Sequence, residues 1–105
     1  MFVKKLKISM LQSQHITNKL LVIKPLLVKR YPIERMAIFG SVARNESTTL
    51  SDVDILVELN QPIGFTFFDL AKELETHLQM SVDLVSRNGI KPAYFAAIEP
   101  DLIYV

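Results

Sequence analysis

Three aspartates interrupt apolar segments of the chain, and their residue type suits metal chemistry. Asp52 and Asp54 open the apolar segment 53–59, and Asp83 lies inside the apolar segment 82–86. Because side chains alternate along a β-strand, Asp52 and Asp54 would share one face and lie about 6–7 Å apart. If the two segments form neighbouring strands, the three carboxylates meet at one end of a sheet.

A cluster of carboxylates is unfavourable by itself, because like charges raise one another's pKa. A hard divalent cation removes this repulsion, and Mg²⁺ prefers carboxylate, phosphate and water oxygens. Two such ions can stabilise the attacking and the leaving oxygen of an in-line displacement at phosphorus. Asp52, Asp54 and Asp83 are therefore candidate catalytic residues and ligands for two Mg²⁺ ions. The simpler alternative is that each aspartate only ends a strand or caps a turn.

A candidate phosphate-binding segment follows the first apolar run. Gly40 and Ser41 come directly after the run 35–39. Glycine allows the backbone to approach a phosphate closely, and a short helix beginning at Ser41 would present free amide donors to it. Arg44, one turn further along, can pair with phosphate oxygens. A Gly-Ser dipeptide is also common in ordinary turns, so its spacing from the aspartates decides its meaning.

That spacing resembles the signature of the polymerase-β-like nucleotidyltransferase superfamily. Ten residues separate the Gly-Ser dipeptide from the Asp-Val-Asp segment, and the matching stretches are FGSVAR at 39–44, SDVDILV at 51–57 and VDLV at 82–85. The last stretch lies where the family keeps its third carboxylate. In its short length, the chain resembles the minimal nucleotidyltransferase group, which includes the MntA-type antitoxins of HEPN/MNT toxin–antitoxin pairs.

The resemblance implies transfer of AMP from the substrate ATP onto a tyrosine of a helical HEPN toxin, which silences the RNase activity of that toxin. It also implies that Asp52 and Asp54 bind the metals, while Asp83 joins one metal and helps to activate the acceptor hydroxyl. The resemblance further implies that Gly40 and Ser41 hold the triphosphate, assisted by Arg44 and Ser51.

One residue departs from the family pattern. Asn45 stands where relatives commonly carry glycine after the arginine. Asparagine tolerates left-handed backbone better than most residues, so we expect the turn to be preserved.

Two other functions remain open from the sequence. The chain could neutralise its partner as a non-catalytic binding module with a vestigial site, or it could be a nucleotidyltransferase that modifies a small molecule. Small-molecule enzymes of the superfamily carry a further domain for the acceptor, and no such domain is evident here. A template-directed polymerase is disfavoured, because the chain lacks the length and the basic surface that nucleic-acid binding requires.

The elements that must position these residues follow from hydrophobic periodicity. Ser9 with Gln12 resembles a capping box, and the pattern that follows predicts a helix that Pro25 kinks or divides and that Pro32 ends. The apolar face of this helix consists of Ile16, Leu20, Ile23, Leu27 and Tyr31.

The remaining elements alternate between strands and helices. The patterns predict strands at Arg35–Phe39, Val53–Leu59 and Val82–Ser86, with a polar loop over 41–51 that could start with a single helical turn. They also predict a helix capped by Thr66 and Asp69, a last helix from Pro92 to about Ile98, and an edge strand within Leu102–Val105. The apolar stripe of the capped helix consists of Phe67, Ala71, Leu74 and Leu78.

This order predicts an α/β or α+β fold, a small mixed β-sheet flanked by helices, and the family resemblance implies the palm-like fold of polymerase β. A chain of 105 residues is the size of one domain, so we expect residues 1–105 to form a single minimal nucleotidyltransferase domain.

Composition narrows the cellular setting. The chain carries 12 Lys and Arg against 11 Asp and Glu and has no cysteine, which leaves it without disulfides or thiol chemistry. This near-neutral balance argues against direct nucleic-acid binding, and no stretch approaches the roughly 18 apolar residues of a membrane span. We expect a cytoplasmic protein.

Overall fold

The structure is a computed structural model that describes residues 12–48 and 50–105; Ser9 of the predicted capping box lies outside these ranges. Two short 3₁₀ turns, at Arg87–Gly89 and Glu99–Asp101, flank the last helix. The helices are α1 (Gln12–Arg30), α2 (Gly40–Ala43), α3 (Thr66–Leu78) and α4 (Pro92–Ile98), and the strands are β1 (Ile33–Phe39), β2 (Val53–Leu59), β3 (Val82–Ser86) and β4 (Ile103–Tyr104).

The four strands form one mixed sheet, as the sequence predicts. Their order is β3-β2-β1-β4. Strand β1 pairs antiparallel with both β2 and β4, whereas β2 and β3 are parallel and are joined through α3. Strand β1 begins two residues earlier than predicted, at Ile33.

Helix α1 packs on the sheet as one uninterrupted helix. Its buried residues are Ile16, Leu20 and Leu27, all on the predicted apolar face. The predicted division at Pro25 is wrong, because the helix continues through this residue to Arg30. Pro25 is exposed and removes a single backbone donor on the solvent side, while the buried residues before and after it keep the helix on the core.

Helix α3 completes the helical layer, but it does not begin with the predicted cap. The residue before the helix is Phe65, and no side chain caps the helix start. The Thr66 hydroxyl instead donates to the Ile63 carbonyl oxygen at 2.6 Å, because Gly64 adopts a positive φ of 58° and folds the preceding turn back. The predicted capping pair of Thr66 and Asp69 is therefore wrong.

Strand β2 separates two different environments. Val53, Ile55 and Val57 are fully buried in one cluster with α1 and α3, whose buried members include Leu20, Leu27, Leu70, Leu74 and Leu78. We call this side of the sheet the core face. Asp54, Leu56 and Glu58 lie on the opposite side, which we call the carboxylate face. The alternation of β2 thus gives the core face only apolar side chains, whereas the carboxylate face combines two acidic side chains with the fully buried Leu56.

Leu70 belongs to the core, although the sequence reading placed only its neighbours on the apolar stripe of α3. Within the described residues, no helix is both long and apolar enough to cross a membrane.

Candidate active site

Strand register brings the three aspartates to one end of the carboxylate face. Asp54 pairs directly with Asp83 in the parallel ladder between β2 and β3, and neighbouring strands lie about 4.7–4.9 Å apart. Asp52 precedes β2 by one residue, and the ladder begins where the Val53 N–H donates to the Ser81 carbonyl oxygen at 2.9 Å. The structure therefore brings together the carboxylates that the sequence singled out.

The electrostatics of Asp54 reflect this crowding. Burial raises the pKa of Asp54 above its ordinary value, and the charges of Asp83 and Asp52 raise it further, while Arg44 opposes the increase. Asp54 is half-buried, whereas Asp52 and Asp83 are exposed. Arg44 thus offsets only part of the negative charge of the cluster, and a bound cation would relieve the rest.

Gly40 lies against Asp54 and admits no side chain. Its φ is +73°, a left-handed conformation that glycine adopts at little cost. A Cβ atom added to Gly40 would lie far inside van der Waals contact with Asp54 Oδ2. The register explains this proximity, because Phe39, the last residue of β1, is paired with Asp54.

The backbone around Ser41 forms a short helix, which the sequence allowed as a single helical turn at the start of the polar loop. Helix α2 begins at Gly40, and no side chain caps it. The Ser41 carbonyl oxygen accepts a 2.8 Å hydrogen bond from the Glu46 N–H, which closes the turn after the helix. Asn45 has a φ of 59°, so the expectation that asparagine preserves the left-handed turn is confirmed.

Asn45 also connects this turn to α1. Its Oδ1 accepts a 2.9 Å hydrogen bond from the Ser13 N–H. Ser13 lies in the first turn of α1, where backbone donors lack partners within the helix. The side chain thus helps to fix the phosphate-binding segment against the N-terminus of α1.

Arg44 is held between two carboxylates. Its Nε donates to Glu46 Oε1 at 2.8 Å, and its Nη1 donates to Asp101 Oδ2 at 2.5 Å. Hydrogen bonds to Glu46 and Asp101 raise the pKa of Arg44. The sequence reading missed Asp101, because 57 positions separate it from Arg44. Its position directly before the predicted edge strand was the available signal.

Ser51 shapes the loop before the aspartates. Its Oγ accepts a 2.9 Å hydrogen bond from the Thr48 N–H, and its own N–H donates to the Thr48 carbonyl oxygen at 3.1 Å. Leu50 lies in this closed turn and is 92% exposed. In this structure Ser51 contributes to the turn that leads into Asp52.

The described residues contain no group of three His, Cys, Asp or Glu side chains arranged to hold a metal ion by themselves. Mg²⁺ rarely requires such a group. It usually binds one or two carboxylates and completes its octahedral shell with substrate phosphates and water. The donor set of Asp52, Asp54 and Asp83 fits this mode of binding, in which the nucleotide supplies the remaining oxygens.

Comparison with known families tests the resemblance directly. Residues 22–100 match the model of the polymerase-β nucleotidyltransferase family. The chain belongs to this nucleotidyltransferase family. The matched residues span the Gly-Ser segment and all three aspartates of the site, so the recognition made from the sequence is confirmed.

Relatives within the family carry the name protein adenylyltransferase. The chain is 48% identical over 84 residues to a Methanocaldococcus jannaschii protein classed among the protein adenylyltransferases, covering 78% of this chain and 86% of the relative. It is 33% identical over 98 residues to the protein adenylyltransferase MntA of Thermococcus cleftensis, covering 92% and 99%. The chain is therefore an enzyme of the nucleotidyltransferase class.

A solved complex shows the same fold. The MNT antitoxin in complex with the tri-AMPylated HEPN toxin of Shewanella oneidensis aligns with a TM-score of 0.64 at 22% identity, covering 88% of this chain and 70% of the chain in that complex. The predicted mixed sheet flanked by helices is thus confirmed as the minimal nucleotidyltransferase fold.

Proposed function

We propose that this protein is a metal-dependent nucleotidyltransferase that transfers AMP from ATP to a hydroxyl, most simply a tyrosine, of a HEPN-type toxin and thereby acts as its antitoxin. The observation that carries the proposal is the arrangement of Asp54, which lies beside Asp83 in the sheet and against the backbone of Gly40. The adenylyltransferase names of the relatives support the choice of AMP.

The carboxylates would hold Mg²⁺ in this proposal. Asp52, Asp54 and Asp83 provide oxygen ligands at one end of the carboxylate face, where mutual repulsion and burial raise the pKa of Asp54. When bound, two Mg²⁺ ions would neutralise charge on the triphosphate and on the attacking oxygen. Raised carboxylate pKa values at a shared site are typical of residues that bind cations or protons.

The triphosphate would lie at the start of α2. The backbone of Gly40 lies directly against Asp54, and the first amides of the helix have no side-chain cap. Arg44 follows within one turn and adds a positive charge that phosphate oxygens can contact. Ser41 supplies a hydroxyl, and Ser51 assists by forming the turn before Asp52.

The acceptor would approach at the edge of the sheet. Strand β3 is an edge strand, and Asp83 on it is exposed. The acceptor oxygen attacks the α-phosphorus, the bond between the α- and β-phosphates breaks, and pyrophosphate leaves. Asp83 would accept the hydroxyl proton, since it is exposed on an edge strand. Because ATP is abundant there, the proposal implies a cytoplasmic protein.

The proposal is tested with a HEPN-type protein from the same genome, sought first in the reading frames next to this one. The two proteins are mixed with ATP and Mg²⁺, and intact-mass spectrometry follows the partner. We expect the mass of one or more adenylyl groups on the partner, located by peptide fragmentation on a hydroxyl side chain. The Asp54→Asn variant serves as a matched control, because it keeps the size of the side chain and removes its charge.

The outcomes distinguish the three candidate functions. An unmodified partner that nevertheless forms a stable complex and loses its RNase activity would support the non-catalytic binding module. An unmodified partner together with an adenylylated small molecule from the host cell would support the small-molecule enzyme. Adenylylation of the partner by the wild type and its absence with Asp54→Asn would support the proposal.

A further inference from the structure

The C-terminal part of the chain lies against the phosphate-binding segment. Strand β4 pairs with β1 through Ile103 and Ile38, two residues before the Gly40 turn. Asp101 precedes Ile103 by two residues and ends the 3₁₀ turn that leads into β4. The turn is closed where the Leu102 N–H donates to the Glu99 carbonyl oxygen at 3.2 Å. The sheet itself therefore carries Asp101 to the loop after α2.

The two carboxylates that hold Arg44 differ in exposure and in origin. The Asp101 side chain is 25% exposed, whereas that of Glu46 is 64% exposed. Glu46 belongs to the same loop as Arg44, but Asp101 belongs to a segment anchored by the sheet. Both bonds lie at the surface, where water weakens an ion pair. Asp101 nevertheless offers the less exposed carboxylate and the shorter contact, 2.5 Å against 2.8 Å, so it is the better placed of the two to fix the orientation of Arg44.

We propose that Asp101 is a positioning residue that fixes the guanidinium of Arg44 for the triphosphate of ATP, an inference that rests on the proposed function. A guanidinium carries five N–H donors in a rigid plane, and the two ion pairs are made through Nε and Nη1. Its orientation is therefore set while donors remain for phosphate oxygens. An arginine ordered before the nucleotide arrives loses less side-chain entropy on binding.

If Asp101 acted through its charge alone, neutralising it would change the nucleotide affinity in the opposite direction. The sign of the change in Kd therefore tests the inference. Asp101 adds a negative charge beside a site that already contains Asp52, Asp54 and Asp83. If it acted only through its charge, or if it competed with phosphate for Arg44, its neutralisation would tighten nucleotide binding. If it positions Arg44, its neutralisation weakens nucleotide binding despite the lower repulsion.

The experiment measures nucleotide affinity by calorimetry, with Mg²⁺ and α,β-methylene-ATP, whose bridge cannot be cleaved by adenylyl transfer. The variants are Asp101→Asn, Glu46→Gln as the matched control, Arg44→Ala, and Arg44→Ala combined with Asp101→Asn. We expect Asp101→Asn to raise the Kd about tenfold, the size of one charged hydrogen bond. We expect Glu46→Gln to change the Kd less than about twofold, because water already screens that pair.

The double variant shows whether Asp101 affects nucleotide binding through Arg44. In the Arg44→Ala background, Asp101→Asn should not weaken binding any further, because the residue that Asp101 positions is gone. Thermal melting of each variant checks that the fold persists. Asp101→Glu retains a carboxylate that can accept the hydrogen bond from Arg44. The Kd of this variant should therefore lie between those of the wild type and Asp101→Asn.

Three results would overturn the inference: an unchanged Kd for Asp101→Asn, a lower Kd, or an equal loss in the Arg44→Ala background. Failure of the proposed function is distinguishable from these results. A wild-type protein that binds the analogue but adenylylates no partner would contradict the proposed function and leave the positioning role intact. A wild-type protein that binds no analogue would contradict both.

Discussion

The two faces of β2 have opposite physical characters. On the core face, Val53, Ile55 and Val57 are completely buried among leucines of α1 and α3. On the carboxylate face, Asp54 is half-buried beside a like charge, and its pKa is raised by burial and by Asp83. The first face releases free energy on folding, since each fully buried aliphatic side chain contributes about 1.5–3 kcal/mol. On the second face, the half-buried Asp54 carboxylate costs free energy in the absence of a cation.

This difference shows how a small chain accommodates an unfavourable site. Residues of one strand alternate between stabilising the fold and serving the chemistry, so the energy released at odd-numbered positions offsets the cost at Asp54. The two functions should then separate on mutation. Substitutions on the core face should change stability alone, and substitutions at Asp54 should change activity without unfolding the protein.

The largest expected effect is the loss of activity in Asp54→Asn. Removing a ligand at the centre of the carboxylate cluster should lower the rate of adenylyl transfer about 10³-fold or more. The free energy of unfolding should be unchanged or higher, because the variant removes a charge that its neighbours repel. Single-turnover transfer assays and urea denaturation measure the two quantities. A folded variant with more than a tenth of the wild-type rate would contradict the separation of the faces.

The next effect is a loss of stability in Ile55→Ala. This change removes a fully buried side chain from the core face and should lower the free energy of unfolding by about 3 kcal/mol. Activity per folded molecule should stay within about twofold of the wild type. Chemical denaturation combined with an activity assay well below the melting temperature tests both statements. A large loss of activity in the folded variant would show that the two faces are coupled.

Gly40→Ala should lower both stability and activity, because the backbone of Gly40 contacts the carboxylate face. The added Cβ would collide with Asp54 Oδ2, and the φ of +73° disfavours alanine. We expect a loss of about 1–2 kcal/mol in stability and a fall of about 10²-fold in activity from displacement of Asp54. Gly64→Ala is a matched control, since it has a similar positive φ without any nearby atom. It should lose comparable stability and retain activity.

The smallest effect concerns pH. The folded pKa of Asp54 is raised above its ordinary value of 3.8, so the folded protein binds this proton more tightly than the unfolded chain does. Its contribution to stability is therefore greatest below about pH 3.8 and falls as the pH rises through the raised pKa. Asp54→Asn removes this fall. Denaturation at a series of pH values should show that the free energy of unfolding of the variant increases relative to that of the wild type as the pH rises. A difference between the two proteins that does not change with pH would contradict the raised pKa.

Much of the fold follows from local pattern. The bounds of β2, β3 and α4 agree with the sequence prediction, because each is a short apolar run or a proline-initiated turn with clear polar ends. The errors arise where tertiary packing decides. Pro25 stays within α1 because the helix is held on its other side, and Thr66 bonds to a carbonyl in a turn that no capping rule anticipates.

The site shows the same division between local and long-range information. Alternation and spacing predict that Asp52, Asp54 and Asp83 converge, since register between parallel strands follows from their apolar residues. The partnership of Arg44 with Asp101 could not be read in this way, because it depends on the pairing of β4 with β1 across most of the chain. The metal roles of the three aspartates and the single-domain extent of residues 1–105 stay predictions.

In the proposed function, the carboxylate face transfers the α-phosphate of ATP, with its nucleoside, to a partner protein. ATP labelled at the α-phosphate or at the γ-phosphate is supplied together with Mg²⁺ and a HEPN-type candidate partner. We predict that the α-label becomes covalently attached to the partner, that the γ-label does not, and that Asp54→Asn abolishes the attachment. Transfer of the γ-label, or α-labelling that survives Asp54→Asn in the folded protein, would contradict the account.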